Sequence, residues 1–324
     1  MTAPSKKLLS IIFKIAILVL TAVFIYHQVL KKGPDIARFE DLLNTISHAQ
    51  VIVVIVLTFV LMLVNWLLEA MKWQYLTRNL DKISFWKATE GVFCGLTWAI
   101  FTPNRLGEYG GRVMYLSPRK RIHGAFAMAV GSFGQNVITN VMGAISILWF
   151  AAAFLHVNLW LMVAFFMIGA VYIFLFIVCF FNIKWLVFLL NKVPFLARYH
   201  RFFELIGRYK FAELYRIILF CLARFIAFSC QYYILINLLI PQLPLYEILL
   251  PTFIVFFIQS ALPSLDLLDV AVRSATAATV FGYVTHQQIA IVAVFSTIWF
   301  INLVIPAILG LAFNLKLNFF GNNT

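Results

Sequence analysis

Long apolar runs, each closed by a short polar or basic stretch, divide the chain. About 20 apolar residues span a bilayer, and six runs reach that length: 8–30, 50–76, 122–154, 158–181, 212–240 and 286–315. The first follows Lys6 and Lys7. It is too long for a signal-peptide core and shows no small-x-small cleavage site, so it reads as a retained helix. Two further stretches, 85–116 and 245–283, begin apolar, are broken by Pro103 and Pro263, and continue with charges. The runs are continuous, not alternating ten-residue strands, so a transmembrane barrel is excluded. The fold class expected is an all-α polytopic integral membrane protein, a single transmembrane domain over 1–324.

Composition agrees with the pattern. The 324 residues are 63% hydrophobic and 11% charged, against about 25% charged in a soluble domain. A soluble enzyme, a disordered chain and a coiled coil are all excluded. The net charge of +13 sits mostly between the apolar runs, which suits an anionic lipid surface and not nucleic acid. Cys94, Cys179, Cys221 and Cys230 fall inside apolar segments and read as small hydrophobes. No histidine pair has metal-ligand spacing, and neither a P-loop nor a G-x-G-x-x-G appears. No metal, cofactor or catalytic residue is expected.

The basic residues orient the spans. If both broken stretches enter and leave on one side, Arg78, Lys82, Arg119, Lys120, Arg121 and the basic segment 184–210 share a side with Lys6, Lys7 and Lys316. The other side keeps Lys31, Lys32 and Arg38, and its remaining loops hold no Lys or Arg. The positive-inside rule then predicts cytoplasmic termini. Each broken stretch is either a re-entrant hairpin or a pair of spans. Residues 184–210 interleave apolar and basic positions and predict an interfacial helix on the anionic leaflet.

Aligning Pro103 with Pro263 also aligns Phe93 with Phe253, brings Gln74-Tyr75 near Gln231-Tyr232, and places an acid-x-x-x-Arg pair after each proline, Glu108…Arg112 and Asp269…Arg273. Asn140 and Asn302 follow in the next spans. This predicts two units, 50–154 and 212–315, after the first helix 8–30, joined by the span and interfacial helix of 158–210. An odd number of crossings makes the second unit inverted, a recurring transporter design.

The charges within apolar segments are the candidate chemistry, since ionisable groups at membrane depth survive by facing a polar cavity or each other. In TPNRLGEYGGR (102–112), helical spacing puts Arg105, Glu108 and Arg112 on one face. Thr102, Pro103 and Asn104 make a helix start whose free N–H groups suit a phosphate. In LPSLDLLDVAVR (262–273), Asp266, Asp269 and Arg273 recur. Glu69, in WLLEAMKW, needs a partner, and Lys72 is one turn away. Gln135, Asn136, Asn140, Gln259 and Asn302, with Asn65 and Gln231, are polar-path or interhelical hydrogen-bonding groups.

WLLEAMKWQYL, a broken apolar arm, and then P-x-R-x-G-E-x-x-x-R at Pro103, Arg105, Gly107, Glu108 and Arg112 resemble the transmembrane region of lysylphosphatidylglycerol synthases, the flippase-like domain family. The resemblance covers roughly 8–315. Family members tend to carry a glycine-rich second motif ending in Glu, where this chain has Leu265, Leu267, Leu268 and Asp269. Many carry a Glu-Arg pair where this chain has Gln135 and Asn136. The resemblance therefore does not fix the ligand. A stand-alone member without the aminoacyl-transfer domain is expected. It implies lipid transport in a bacterial inner membrane: Arg105 and Arg112 contacting phosphate, Glu108 and Asp269 meeting a cationic headgroup, a proton or a coupling ion. The rival expectations are a scaffold or partner for envelope-synthesis enzymes, and a membrane enzyme acting on a lipid phosphate. Direction, energy coupling and oligomeric state are not legible in the residues.

Overall fold

The computed structural model describes residues 46–100, 102, 105–155, 158–192, 207–261 and 266–316. The expected first helix at 8–30, Pro103, Asn104, Pro263, Ser264 and most of the basic segment after Lys192 lie outside them. Among the described residues there are helices and no strands. The protein is an all-α polytopic membrane protein. Among the described residues five helices are long and apolar enough to cross a bilayer.

Helix α1 (His48–Thr77) leads through a short turn to α2 (Phe85–Ala99), whose first turn is capped by the Ser84 hydroxyl accepting from Lys87 N–H. The chain then reverses into α3 (Leu106–Val113) and enters α4 (Arg121–Phe154) through a 3₁₀ turn at Pro118–Lys120. Two helices follow, α5 (Leu159–Phe181) and the short α6 (Ile183–Asn191). The second unit is α7 (Phe211–Leu239), α8 (Leu245–Ala261), α9 (Asp266–Phe281), α10 (Gln288–Trp299), a π-helical turn at Phe300–Val304, and α11 (Ile305–Lys316).

The first broken stretch is a re-entrant hairpin. Asp81, just before α2, accepts hydrogen bonds from the Ser117 N–H at 2.9 Å and the Ser117 hydroxyl at 2.7 Å, just after α3. The chain therefore enters and leaves at one end of α4. The hairpin closes because its facing residues are glycines: a Cβ on Gly111 would lie 2.5 Å from Gly95 Cα, and one on Gly107 2.2 Å from the Trp98 carbonyl oxygen. At 15 residues, α2 is about 22 Å long, short of a hydrocarbon core of about 30 Å.

The second stretch returns in the same manner from the other face. Tyr246, at the start of α8, packs on Trp149, and Tyr283, after α9, packs on Phe150 and Phe154. All three partners lie at the far end of α4. The long helices α1 and α7 run antiparallel, with Arg78 paired to Glu213 at one end and Gln231 donating to the Thr58 carbonyl toward the other. The two units are inverted, as the proline alignment predicts.

They also exchange arms. Helix α2 packs on α11 of the second unit, where a Cβ on Gly310 would sit 2.1 Å from the Phe93 carbonyl. Helix α8 packs on α4 of the first, where a Cβ on Gly143 would sit 2.4 Å from Phe257 Cβ. One end of the molecule gathers Arg78, Lys82, Arg119, Lys120, Arg121, Arg208 and Lys210. The described loops at the other end carry no Lys or Arg.

Hydrogen bonds from Ser117 hold the Asp81 carboxyl below its usual range, with Lys120 adding attraction. A depressed carboxylate contributes stability above its unfolded pKa and loses it as pH falls through the folded value. The clasp should therefore loosen only in acid. In a cysteine-free background, Ser84→Cys and Ser117→Cys should react with an impermeant maleimide from one face of sealed vesicles, and Tyr283→Cys from the other. Labelling of all three from one face would overturn the inverted arrangement.

Candidate functional site

Glu69 lies in the third quarter of α1 with its side chain buried, and three cations converge on it. Lys72 Nζ is 2.8 Å away within the same helix. Arg112 reaches it from α3 and Arg224 from α7, each by a direct ion pair. Arg112 also pairs with Glu108 one turn back, and Arg105 Nε stands 3.2 Å from that same carboxylate. Arg224 Nε donates to Asn65 Oδ1 at 3.0 Å, and its guanidinium stands 5.4 Å from the Trp66 ring centroid. Lys72 also donates to the Gly131 carbonyl of α4. One carboxylate thus joins α1, the first hairpin and α7.

The Glu108–Arg112 spacing forms the ion pair that the helical reading predicts. Its setting differs from the expectation of a phosphate contact. Arg112 is 2% exposed, enclosed between Glu69 and Glu108, and does not reach the cavity described below. The helix start differs too. Helix α3 begins at Leu106, with Arg105 before it in the left-handed region at φ 57°. This conformation costs a non-glycine residue about 1–2 kcal/mol. Thr102 supplies the cap, its hydroxyl accepting from Gly107 N–H at 2.6 Å. That N–H is therefore already engaged.

A cavity of about 300 Å³ lies beside this cluster. Its wall draws on both units: Asn65 and Trp66 from α1, Gln135 and Asn136 from α4, Arg224 and Phe228 from α7, Gln259 from α8, Arg273 from α9 and Asn302 from the π turn, with Arg105 at the hairpin tip. Gln135, Asn136 and Arg224 sit near the midpoints of their helices, so the cavity lies at mid-depth of the spans. Arg105, Arg273, Gln135, Asn136, Gln259 and Asn302 all line this one cavity. Asn140 is not among them; it accepts from the Tyr172 hydroxyl at 2.7 Å and ties α5 to α4. Asp266 and Asp269 begin α9, and their side chains lie outside the described residues.

Arg224 is absent from the sequence reading. The signal was an arginine in the middle of the 212–240 span, where a charge marks a functional site by default. Among the described residues no group of His, Cys, Asp and Glu is arranged to hold a metal. No family model matches the chain, nor does any curated protein or solved structure.

Removing one partner of a buried ion pair costs about 3–5 kcal/mol. Glu69→Leu, which leaves three cations facing one another, should lose about that much and show it as a large fall in melting temperature in detergent. Gln135→Leu removes only a 3.4 Å contact to Arg224 and should cost about 1 kcal/mol or less. Equal melting temperatures for the two variants would contradict the bridging role given to Glu69.

Proposed function

We propose that the protein is a lipid flippase, carrying a polar or charged headgroup between the leaflets of a bacterial inner membrane. The basic end and both termini would face the cytoplasm, by the positive-inside rule. The observation that carries this reading is the polar cavity at mid-depth, walled by both inverted units and capped by hairpins from opposite faces.

A headgroup cannot cross hydrocarbon bare, because each charge at the bilayer centre costs at least about 2.5–3.5 kcal/mol. A wall of guanidinium, amide and indole groups replaces its water. The acyl tails stay in lipid while the headgroup occupies the cavity. Hairpins that reach only part way provide two gates, one toward each face, in the manner of transporters built from inverted repeats. The resemblance of Pro103, Arg105, Gly107, Glu108 and Arg112 to the flippase-like motif points the same way. Within the reading, Arg224, Arg105 and Arg273 take the phosphate-contact role, and Arg112 holds the hairpin in place.

The test is lipid flipping in reconstituted proteoliposomes, with fluorescent lipids of different headgroups bleached from outside. Wild type should accelerate loss of the inner-leaflet signal. Arg224→Gln should slow it at least tenfold while remaining monodisperse and folded. Absence of flipping for every headgroup in folded wild-type protein would refute the proposal.

A further inference from the structure

Arg224 enters the cavity wall from α7 with its side chain 14% exposed. Two of its nitrogens are committed. Nε donates to Asn65 Oδ1 at 3.0 Å, while Nη1 pairs with Glu69 and stands 3.4 Å from Gln135 Oε1. Asn65 and Glu69 are one turn apart on α1, so the guanidinium grips that helix at two points. The Trp66 ring, with its centroid 5.4 Å away, adds a cation–π contact.

Those bonds fix which end each amide turns to the arginine. A guanidinium only donates, so the oxygens of Asn65 and Gln135 must face it. Their N–H₂ groups are left over. Neither N–H₂ group donates a hydrogen bond among the described residues, and Arg224 Nη2 makes none either. None of these three nitrogens is fully buried. All three residues line the same cavity, and Asn65 is otherwise enclosed, at 4% exposure. Accessible donors from α1, α4 and α7 are thus gathered around one guanidinium.

The three donors call for acceptors on a ligand. An oxyanion brings several at once and gains a charge-assisted bond from the guanidinium. We infer that Asn65 and Gln135 join Arg224 in a three-donor cradle for a phosphate group, an inference that rests on reading the cavity as the headgroup site. Arg224 has two parts in it. Its Nη2 meets the phosphate, and its Nε and Nη1 hold the neighbouring amides with their N–H₂ ends free. The cradle recognises the phosphate and leaves the rest of the headgroup unconstrained.

The test is binding of a fluorescent phosphatidylmethanol, a phosphodiester with a minimal headgroup, to the purified full chain in maltoside micelles. Diacylglycerol is the competitor without phosphate, and methyl phosphate the competitor without tails. Phosphatidylmethanol should bind at least tenfold tighter than diacylglycerol. Asn65→Asp keeps the oxygen that Arg224 needs and loses the N–H₂ group. It should stay folded and monodisperse and bind phosphatidylmethanol at least tenfold more weakly. A structural role alone would spare this variant, because the bond to Arg224 survives. Gln135→Leu introduces no charge and should weaken binding about three- to tenfold, the loss of one hydrogen bond. Wild-type affinity in either variant, or equal binding of the two lipids, would overturn the inference even if flipping occurs. Methyl phosphate bound as tightly as the lipid would uphold the cradle and overturn the flippase reading.

Discussion

One buried carboxylate holds the middle of this molecule together. Glu69 sits where α1, the first hairpin and α7 meet, and a charge from each reaches it. An isolated carboxylate there would be too costly to keep ionised. With Lys72, Arg112 and Arg224 around it, the arrangement is sustained, and each cation in turn depends on it. The consequence is geometric. Helix α3 is only eight residues long, too short to hold a position in lipid by its own hydrogen bonding. Its Arg112 fixes it against α1, and the glycines of the hairpin seat it on α2. Arg105, in the left-handed region just before that fixed helix, lines the cavity.

The same cluster decides which of its own charges face the cavity. Carboxylates consumed by structural pairing cannot serve a cationic ligand, and Arg112, consumed by the same pairing, cannot serve an anionic one. Among the described residues the cavity wall carries guanidinium groups together with amides supplied by α1, α4, α8 and the π turn. The division between structural and ligand-facing charges therefore follows from which partners lie within a few ångströms, and motif membership does not predict it. Glu108 and Arg112 belong to the motif and lie behind the wall; Arg224 belongs to no motif and is on it.

Much of the architecture was legible because it rests on local signals. Continuous apolar runs marked the spans, proline followed by charge marked the two broken stretches, and the clustering of Lys and Arg at alternate loops favoured a return of those stretches to the side they left. The proline alignment gave the inversion, which the antiparallel α1 and α7 bear out. What escaped is long-range. Arg224 has no acidic residue one turn away on its own helix; its partners Asn65 and Glu69 are 159 and 155 positions distant. An i,i+4 spacing correctly paired Glu108 with Arg112 but could not reveal that Glu69 closes the other side of that guanidinium and removes it from the ligand. The π turn is likewise invisible in FINLV, since a one-residue widening leaves no pattern in hydropathy.

The exchange of arms constrains how such a cavity could open. Gly310 lies against the Phe93 carbonyl and Gly143 against Phe257, with no room for even a methyl group at either contact. Thr97 also donates to the Ala307 carbonyl, and Trp98 to Asn314, so α2 is tied to α11 by hydrogen bonds as well as by shape. Close-packed, hydrogen-bonded helices of this kind move as one piece. A rearrangement that displaced the first hairpin would have to carry the last helix of the second unit with it, while the second hairpin would stay with α4. The close-packed contacts thus cross between the two sequence repeats, each unit's hairpin arm lying against the other unit's closing helix. The cavity lies on the seam between them, with Arg105 on one side and Arg273 on the other.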